Sequence, residues 1–293
     1  MYEIEKMEHK SLTICKANEV IEASFRLSLN EQRVVLACIG QVNSTDELLE
    51  TSEFELSAID FAMLYGVSKD RAYSELQEVA KNLYHRSLTI HNPDPARPKL
   101  KKRETRWISS IGYMPEDGKI VLRFAQDMLP FLGALKGSFT RYKLEHVGKM
   151  TSVYAVRLYE LLAQWQSVGK REIELDWLKE QLQLDSSYDR MNNFKARVID
   201  PAIEDINKNS NFNVSWSQRK TGRRISHLLF EFDEKKLITT ETKKKKNKSK
   251  IIEVKPIDNL DFYADMRKRF GDAMPSDAIP ADMIEKLKSQ GRW

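Results

Sequence analysis

The sequence predicts an α+β protein built from two tandem winged-helix domains, and three observations carry that expectation. Residues 171–232 read as a short strand, a helix, a tight turn, a longer helix and a two-stranded hairpin with a basic tip. The element order helix, helix, helix, hairpin occurs in residues 24–124 and again in residues 150–232. The segment between them, Asp127–Leu144, is too apolar to be a free tether and is expected to pack between the domains. A helix-turn-helix followed by a β-wing suits one task, placing a helix in a DNA major groove while the wing reaches the neighbouring backbone. The expected organisation is an arm (1–23), a first domain with its connecting segment (24–144), a second domain (145–235) and a Lys-rich linker and tail (236–293).

In chain order, residues 1–22 form an arm with one short strand at most. A helix at Ser28–Gln41 follows, with Leu29, Val34, Val35, Ala37, Cys38 and Val42 on its apolar face. Asn43-Ser-Thr-Asp46 ends it. Phe54-Glu-Leu-Ser57 is strand-like and leads into a helix at Ala58–Leu64, which Gly66 terminates. Ser68 is placed to cap a longer helix through about His85, where Ala72, Leu76, Val79, Ala80 and Leu83 recur at helical spacing. Ser87–His91 alternates as a strand does. Asn92–Arg103 combines three prolines with a basic cluster and reads as a loop. Trp107–Tyr113 and Lys119–Phe124 then form a hairpin around Pro115-Glu-Asp-Gly118. In the connecting segment Met128, Leu129, Phe131, Leu132 and Leu135 make a short apolar helix, and Phe139–Leu144 is strand-like.

The second domain carries a strand at Arg171–Glu174, a helix at Leu175–Leu184, a turn at Asp185–Tyr188 and a helix at Asp189–Asn207. Strands at Phe212–Ser217 and Ile225–Phe232 flank the basic tip Gln218–Arg224. Pro201 interrupts the long helix, either kinking it or marking a new start capped by Asp200. Beyond Asp233 the character changes. Residues 241–250 are a self-repelling Lys-rich run, expected to be disordered in isolation, and Asp261–Phe270 and Pro280–Ser289 are short polar helical segments.

Bulk properties exclude some classes. A formal net charge of +5 is modest, so only local clustering of cations bears on a nucleic-acid partner. Cys15 and Cys38 lie in apolar surroundings without CxxC spacing, as buried reduced thiols do in a cytoplasmic protein. No run of 18 apolar residues occurs and the acidic N-terminus is no signal peptide, so no membrane contact is expected.

The cations do cluster. On the Asp189–Asn207 helix, Phe194, Val198, Ala202 and Ile206 take the core face. Arg190, Asn193 and Arg197 form a separate row at i, i+3, i+7. Basic residues occupy its N-terminal half and Asp200, Glu204 and Asp205 its C-terminal half, the polarity of a helix that enters a groove by its N-terminal end. Arg and Asn are also the side chains best shaped for guanine and adenine edges. A solvated helix face has the same pattern, so this row alone does not decide. Arg219, Lys220, Arg223 and Arg224 crowd the following hairpin tip, where phosphate contact fits better than idle solvation. Arg97–Arg106, including Lys101, Lys102 and Arg103, occupies what the element order makes the wing position of the first domain.

Enzymatic readings find little support. The five histidines are scattered without HxH or HxxxH spacing, so a metal-dependent nicking enzyme lacks its ligand cluster. No GxxxxGK[ST] or GxGxxG loop occurs and no nucleophile-and-base constellation is evident, so neither catalysis nor a cofactor is expected.

With these residues in view, the chain resembles the replication initiators of theta-replicating, iteron-containing bacterial plasmids. The resemblance lies in Leu27-Ser-Leu-Asn-Glu-Gln-Arg33, Ser152-Val-Tyr-Ala-Val-Arg-Leu-Tyr-Glu-Leu-Leu162, Tyr188-Asp-Arg-Met-Asn-Asn-Phe-Lys-Ala-Arg-Val198, Ile203-Glu-Asp-Ile-Asn207 and the wing Lys220-Thr-Gly-Arg-Arg224. It covers residues 24–235 and leaves the tail aside. It implies two winged-helix domains gripping one direct repeat in successive major grooves, the second reading bases and the first binding backbone and dimerising. It also implies origin opening by monomers, repression of the protein's own promoter by dimers at an inverted repeat, and recruitment of a host initiator ATPase and replicative helicase. The residues it points to are Arg190, Asn193, Lys195 and Arg197 on the recognition helix, with Lys220, Arg223 and Arg224 on the wing. Lys69, Arg71 and the Arg97–Arg106 loop are weaker candidates. The runner-up is a dimeric transcriptional repressor without a replication role.

Overall fold

The computed structural model describes residues 12–66, 68, 71–94, 96–135, 138–235 and 288. The start of the arm, Lys69, and the tail with its two expected helical segments fall outside the described residues, Lys288 apart. The elements below all belong to one compact unit.

The arm contributes β1 (Thr13–Ala17) and a single turn, α1 (Asn18–Ile21). Then α2 (Leu29–Ile39) begins at a capping box. The Ser28 hydroxyl accepts from the Glu31 N–H (3.3 Å), and the Glu31 carboxylate accepts from the Ser28 N–H (2.6 Å). β2 (Phe54–Ser57) leads directly into α3 (Ala58–Tyr65), which Ser57 caps and Gly66 ends at φ 69°. The next helix, α4 (Ala72–Tyr84), starts later than Ser68. The Ser68 carbonyl instead closes a tight turn onto the Arg71 N–H (3.3 Å), so the helical ladder begins beyond it.

A second departure follows α4. β3 (Ser87–His91) pairs with β4 (Lys102–Arg106), from Ser87 opposite Arg106 to His91 opposite Lys102. The expected loop is therefore confined to the proline-bearing stretch. Past the last proline, nothing in Lys-Arg-Glu-Thr-Arg prevents strand pairing. β5 (Ile108–Met114) and β6 (Lys119–Phe124) form the next hairpin, and the sheet order is β2-β6-β5.

The connecting segment is packed, as its composition predicts. Gln126–Phe131 is a 3-10 turn, Met128 and Leu132 are fully buried, and β7 (Phe139–Lys143) pairs antiparallel with β1, Thr13 opposite Lys143. After α5 (Glu145–Gly148) comes α6 (Val153–Ala163), capped by Ser152. β8 (Lys170–Glu174) precedes α7 (Leu175–Gln181), shorter than predicted because Gln183 adopts a left-handed φ of 47°. A 3-10 turn at Ser186–Tyr188 separates it from α8 (Met191–Phe194). α8 continues through a π-helical turn, Lys195–Ile199, into α9 (Asp200–Asn209). Pro201 has no N–H for the Arg197 carbonyl, and the wider turn re-registers the ladder where an α-turn would leave that bond unmade. β9 (Phe212–Thr221) and β10 (Arg224–Glu234) close the domain with sheet order β8-β10-β9, the same order as in the first domain.

Both domains thus share helix, strand, helix, helix, hairpin, the first strand pairing with the last. The first domain adds β3–β4 between its second helix-turn-helix element and its wing. That corrects one expectation: Arg97–Arg106, with Lys101, Lys102 and Arg103, is not at the wing position. The wing of the first domain is β5–β6, whose turn Pro115-Glu-Asp-Gly118 is acidic.

The arm, the connecting strand and α6 are joined by a buried polar cluster. Glu160 of α6, 1% exposed, takes the Lys16 ammonium of β1 and the Tyr142 hydroxyl of β7, each at 2.5 Å. Arg157, one turn earlier on α6, lies 3.6 Å from Glu160 and donates to the carbonyls of Ile21 (3.0 Å) and Ala23 (2.8 Å). Its guanidinium stacks 3.7 Å from the centre of the Phe25 ring. Burial pushes the Glu160 carboxyl upward, but Lys16 and Arg157 outweigh it and hold the group below the usual carboxylate range. Burial lowers the Lys16 ammonium, with Glu160 opposing, and brings Arg157 to about 10. Surrounded by two cations, the carboxylate stays charged.

Removing that carboxylate leaves two buried cations uncompensated. Glu160→Gln should therefore lower stability by about 3–5 kcal/mol in denaturant titration. Since the folded value lies below the unfolded one of about 4.3, this contribution is complete above that pH and is lost as pH falls through the folded value. The acid limb of the stability curve should be shallower in the variant, and an identical limb in both proteins would refute the assignment.

Candidate nucleic-acid interface

In the second domain the helix from Met191 to Asn209 buries Phe194, Val198, Ile199, Ala202 and Ile206, and presents its start to solvent. Arg190 stands at the N-cap of α8 and is exposed, as are Lys195 and Arg197 in the π turn. Asn193 is half-buried instead. Its amide donates to the Ser187 carbonyl (3.1 Å), tying the helix start to the preceding 3-10 turn. The exposed amide is its neighbour Asn192, which the regular i, i+3, i+7 row passes over. Helical spacing separates the two asparagines by only 100°, and the contact with Ser187 decides between them.

The preceding turn is built for rigidity. Asp185 accepts from the hydroxyl and backbone N–H of Ser187, and these bonds hold its carboxyl below the usual range. Lys179 of α7 donates to the Asp189 carbonyl (3.4 Å) and lies 5.5 Å from the Phe194 ring centre.

The wing is a ribbon more than a loop. β9 and β10 stay paired out to Thr221 opposite Arg224, and only Gly222, at φ 62°, and Arg223 form the tip. Arg219, Lys220, Arg223 and Arg224 are all exposed. They differ in commitment: Arg219 is paired with Glu172 of β8 at 2.5 Å, whereas the other three make no ion pair among the described residues. Ribbon and helix are joined through Trp216. Its indole N–H donates to Asp200 (3.2 Å), and the Lys195 ammonium lies 5.6 Å from its ring centre. Sequence spacing gave no hint of this contact, because it joins two elements whose packing is set by the sheet.

The corresponding surface of the first domain is less basic. α4 exposes Ser74, Glu78, Lys81 and Asn82 behind an exposed Arg71, and the sheet charges neutralise each other through Lys119–Glu55 (3.0 Å) and Arg123–Glu53 (2.5 Å). Its cations sit on the added hairpin. Lys101 is exposed and unpaired among the described residues, Lys102 pairs with Glu104 (3.3 Å), and Arg103 pairs with Asp127 (2.5 Å). Cys15 and Cys38 are buried and free, and burial raises the Cys38 thiol well above its ordinary value. Among the described residues, no group of three His, Cys, Asp or Glu could hold a metal ion, and no helix is long and apolar enough to cross a membrane.

Residues 13–163 match the family model described as Initiator Replication protein, WH1, and residues 174–232 the one described as Initiator Rep protein, WH2. A protein of Escherichia coli named Replication initiation protein is 29% identical over 230 residues, spanning 76% of this chain and 70% of its own. The PI protein of Escherichia coli is 27% identical over 255 residues, 76% and 83% of the two chains. Among solved structures, the crystal structure of Pi initiator protein in complex with iteron DNA matches with a TM-score of 0.66 at 26% identity, over 77% of this chain and 98% of that one.

The two asparagines should separate cleanly. Asn193→Ala should cost about 1 kcal/mol of stability through the lost bond to Ser187. Asn192→Ala should stay within about 0.5 kcal/mol. Thermal melts of both variants that shift equally would show that the Asn193–Ser187 contact contributes nothing.

Proposed function

The chain belongs to the family of initiator Rep proteins with paired WH1 and WH2 domains, and from that premise we propose that it starts plasmid replication by binding direct repeats (iterons) in the origin. The observation that carries this reading is in the second domain. An exposed basic helix start and an exposed basic ribbon are locked side by side through Trp216. The relative solved with iteron DNA supports it across both domains. In this reading Arg190, Asn192, Lys195 and Arg197 meet base edges, and Lys220, Arg223 and Arg224 meet phosphates. Arg219 braces the ribbon through Glu172, while Asn193 positions the helix. Lys101 and Arg71 supply weaker backbone contacts from the first domain, joined by Lys102 and Arg103 if their acidic partners release them. Lys69 lies outside the described residues and keeps only the support of the family resemblance.

The finer reading has monomers binding the repeats and dimers repressing the chain's own promoter at an inverted repeat. β5 lies at the edge of the first-domain sheet, so its backbone is available to pair with a second copy. Recruitment of a host initiator ATPase and replicative helicase would follow origin binding. The role is one of binding and assembly, not catalysis, in the cytoplasm. Tandem direct repeats about two helical turns long in the flanking DNA would separate this reading from that of a repressor, which needs only a palindrome over a promoter.

Contact with six to ten phosphates should make log affinity fall against log salt with a slope near −0.9 per contact, about −5 to −9 in all. A nearly flat titration would count against DNA as the ligand. Arg197→Ala or Arg190→Ala should cost about 1–3 kcal/mol on the cognate repeat and relax discrimination at one position. Lys220→Ala or Arg223→Ala should weaken all duplexes alike and reduce the slope by about one. Equal loss of specific and non-specific binding in both classes would overturn the division between helix and ribbon.

A further inference from the structure

Where the two domains meet, a cleft of about 280 Å³ is lined by Arg26, Ser28 and Arg86 on one side and by Val153, Tyr154 and Leu182 on the other. Its two exposed cations differ. Arg86 is held by the buried Glu31 carboxylate at 3.1 Å, whereas Arg26 is exposed and makes no ion pair or hydrogen bond among the described residues.

The backbone beneath Arg26 is nevertheless fixed. The Ser24 hydroxyl donates to the Glu180 carbonyl (2.7 Å), and the Phe25 N–H donates to the Gln181 carbonyl (3.4 Å), both at the end of α7. Phe25 itself lies under the Arg157 guanidinium. A free guanidinium thus projects from a rigid stem at the first helix of the second helix-turn-helix. Arg26 therefore lines the cleft across from Tyr154 of α6 and Leu182 at the end of α7, the first helix of the helix-turn-helix.

Two recognition helices in successive major grooves, about 34–36 Å apart along the duplex, leave a minor groove and its bordering phosphates between them. We propose that Arg26 is a third point of DNA contact, gripping a phosphate of the backbone that crosses between the two domains. The inference rests on the two-domain DNA-binding reading and adds to it a contact belonging to neither helix-turn-helix nor wing. A guanidinium suits the role, since its planar fork matches two phosphate oxygens.

The test uses the full chain, duplexes carrying the direct repeat of its own origin, and a set with single methylphosphonates stepped through the interval between the two grooves. Arg26→Ala should weaken binding about tenfold, lower the salt slope by about 0.9, and leave the melting temperature unchanged. One neutral phosphate should weaken the parent protein yet make no difference to Arg26→Ala, and Arg26→Lys should restore most of the slope without restoring full affinity. The same slope and interference pattern in parent and Arg26→Ala, with Lys220→Ala still lowering the slope, would overturn the Arg26 contact alone. Should the parent protein itself show a nearly flat salt titration, the DNA-binding reading falls and this contact with it.

Discussion

One buried carboxylate sets the geometry on which everything else depends. Glu160 of α6 neutralises Lys16 from the arm, accepts from Tyr142 of the connecting strand, and faces Arg157, which holds the carbonyls of Ile21 and Ala23. Such a cluster is a weak source of net stability, because desolvating its charges offsets most of their attraction. Its value is in uniqueness. A displaced domain would leave charges buried without partners, so competing arrangements are penalised far more than the native one is stabilised. The arm, the connecting strand and α6 are therefore fixed against one another by this cluster.

The same constraint explains why the domains need not be equally basic. Within a rigid pair, one domain can supply discrimination while the other supplies orientation. The second carries the free cations Lys220, Arg223 and Arg224 beside Arg190 and Arg197. The first keeps an acidic wing turn, neutralises its sheet charges internally, and carries its cations on the added β3–β4 hairpin. The free cations of the described residues are thus concentrated on the second domain's helix start and ribbon.

Precision in the second domain comes from an irregularity. Pro201 removes a backbone donor from a long helix, and the π turn at Lys195–Ile199 absorbs the loss. That turn exposes Lys195, Ala196 and Arg197 in succession, and Trp216 anchors it to the ribbon through Asp200 and Lys195. Irregular helical turns of this kind recur at functional sites, where regular geometry would aim the side chains elsewhere.

Much of this was legible in the residues themselves. Apolar spacing announced nearly every helix, alternation and turn chemistry announced the hairpins, and the repeated element order announced two winged-helix domains. These signals are local, arising within one or two turns of chain. What escaped the sequence depends on which partner each strand or side chain meets once the chain folds. Lys102–Arg106 pairs with Ser87–His91, which moved the basic cluster off the wing. Asn193 turns to Ser187, leaving Asn192 exposed. Lys16 and Glu160, separated by 144 positions, meet in the core. Charge type and helical phase are written residue by residue, but which cation is free and which is held is decided only when the tertiary fold brings its acid within reach.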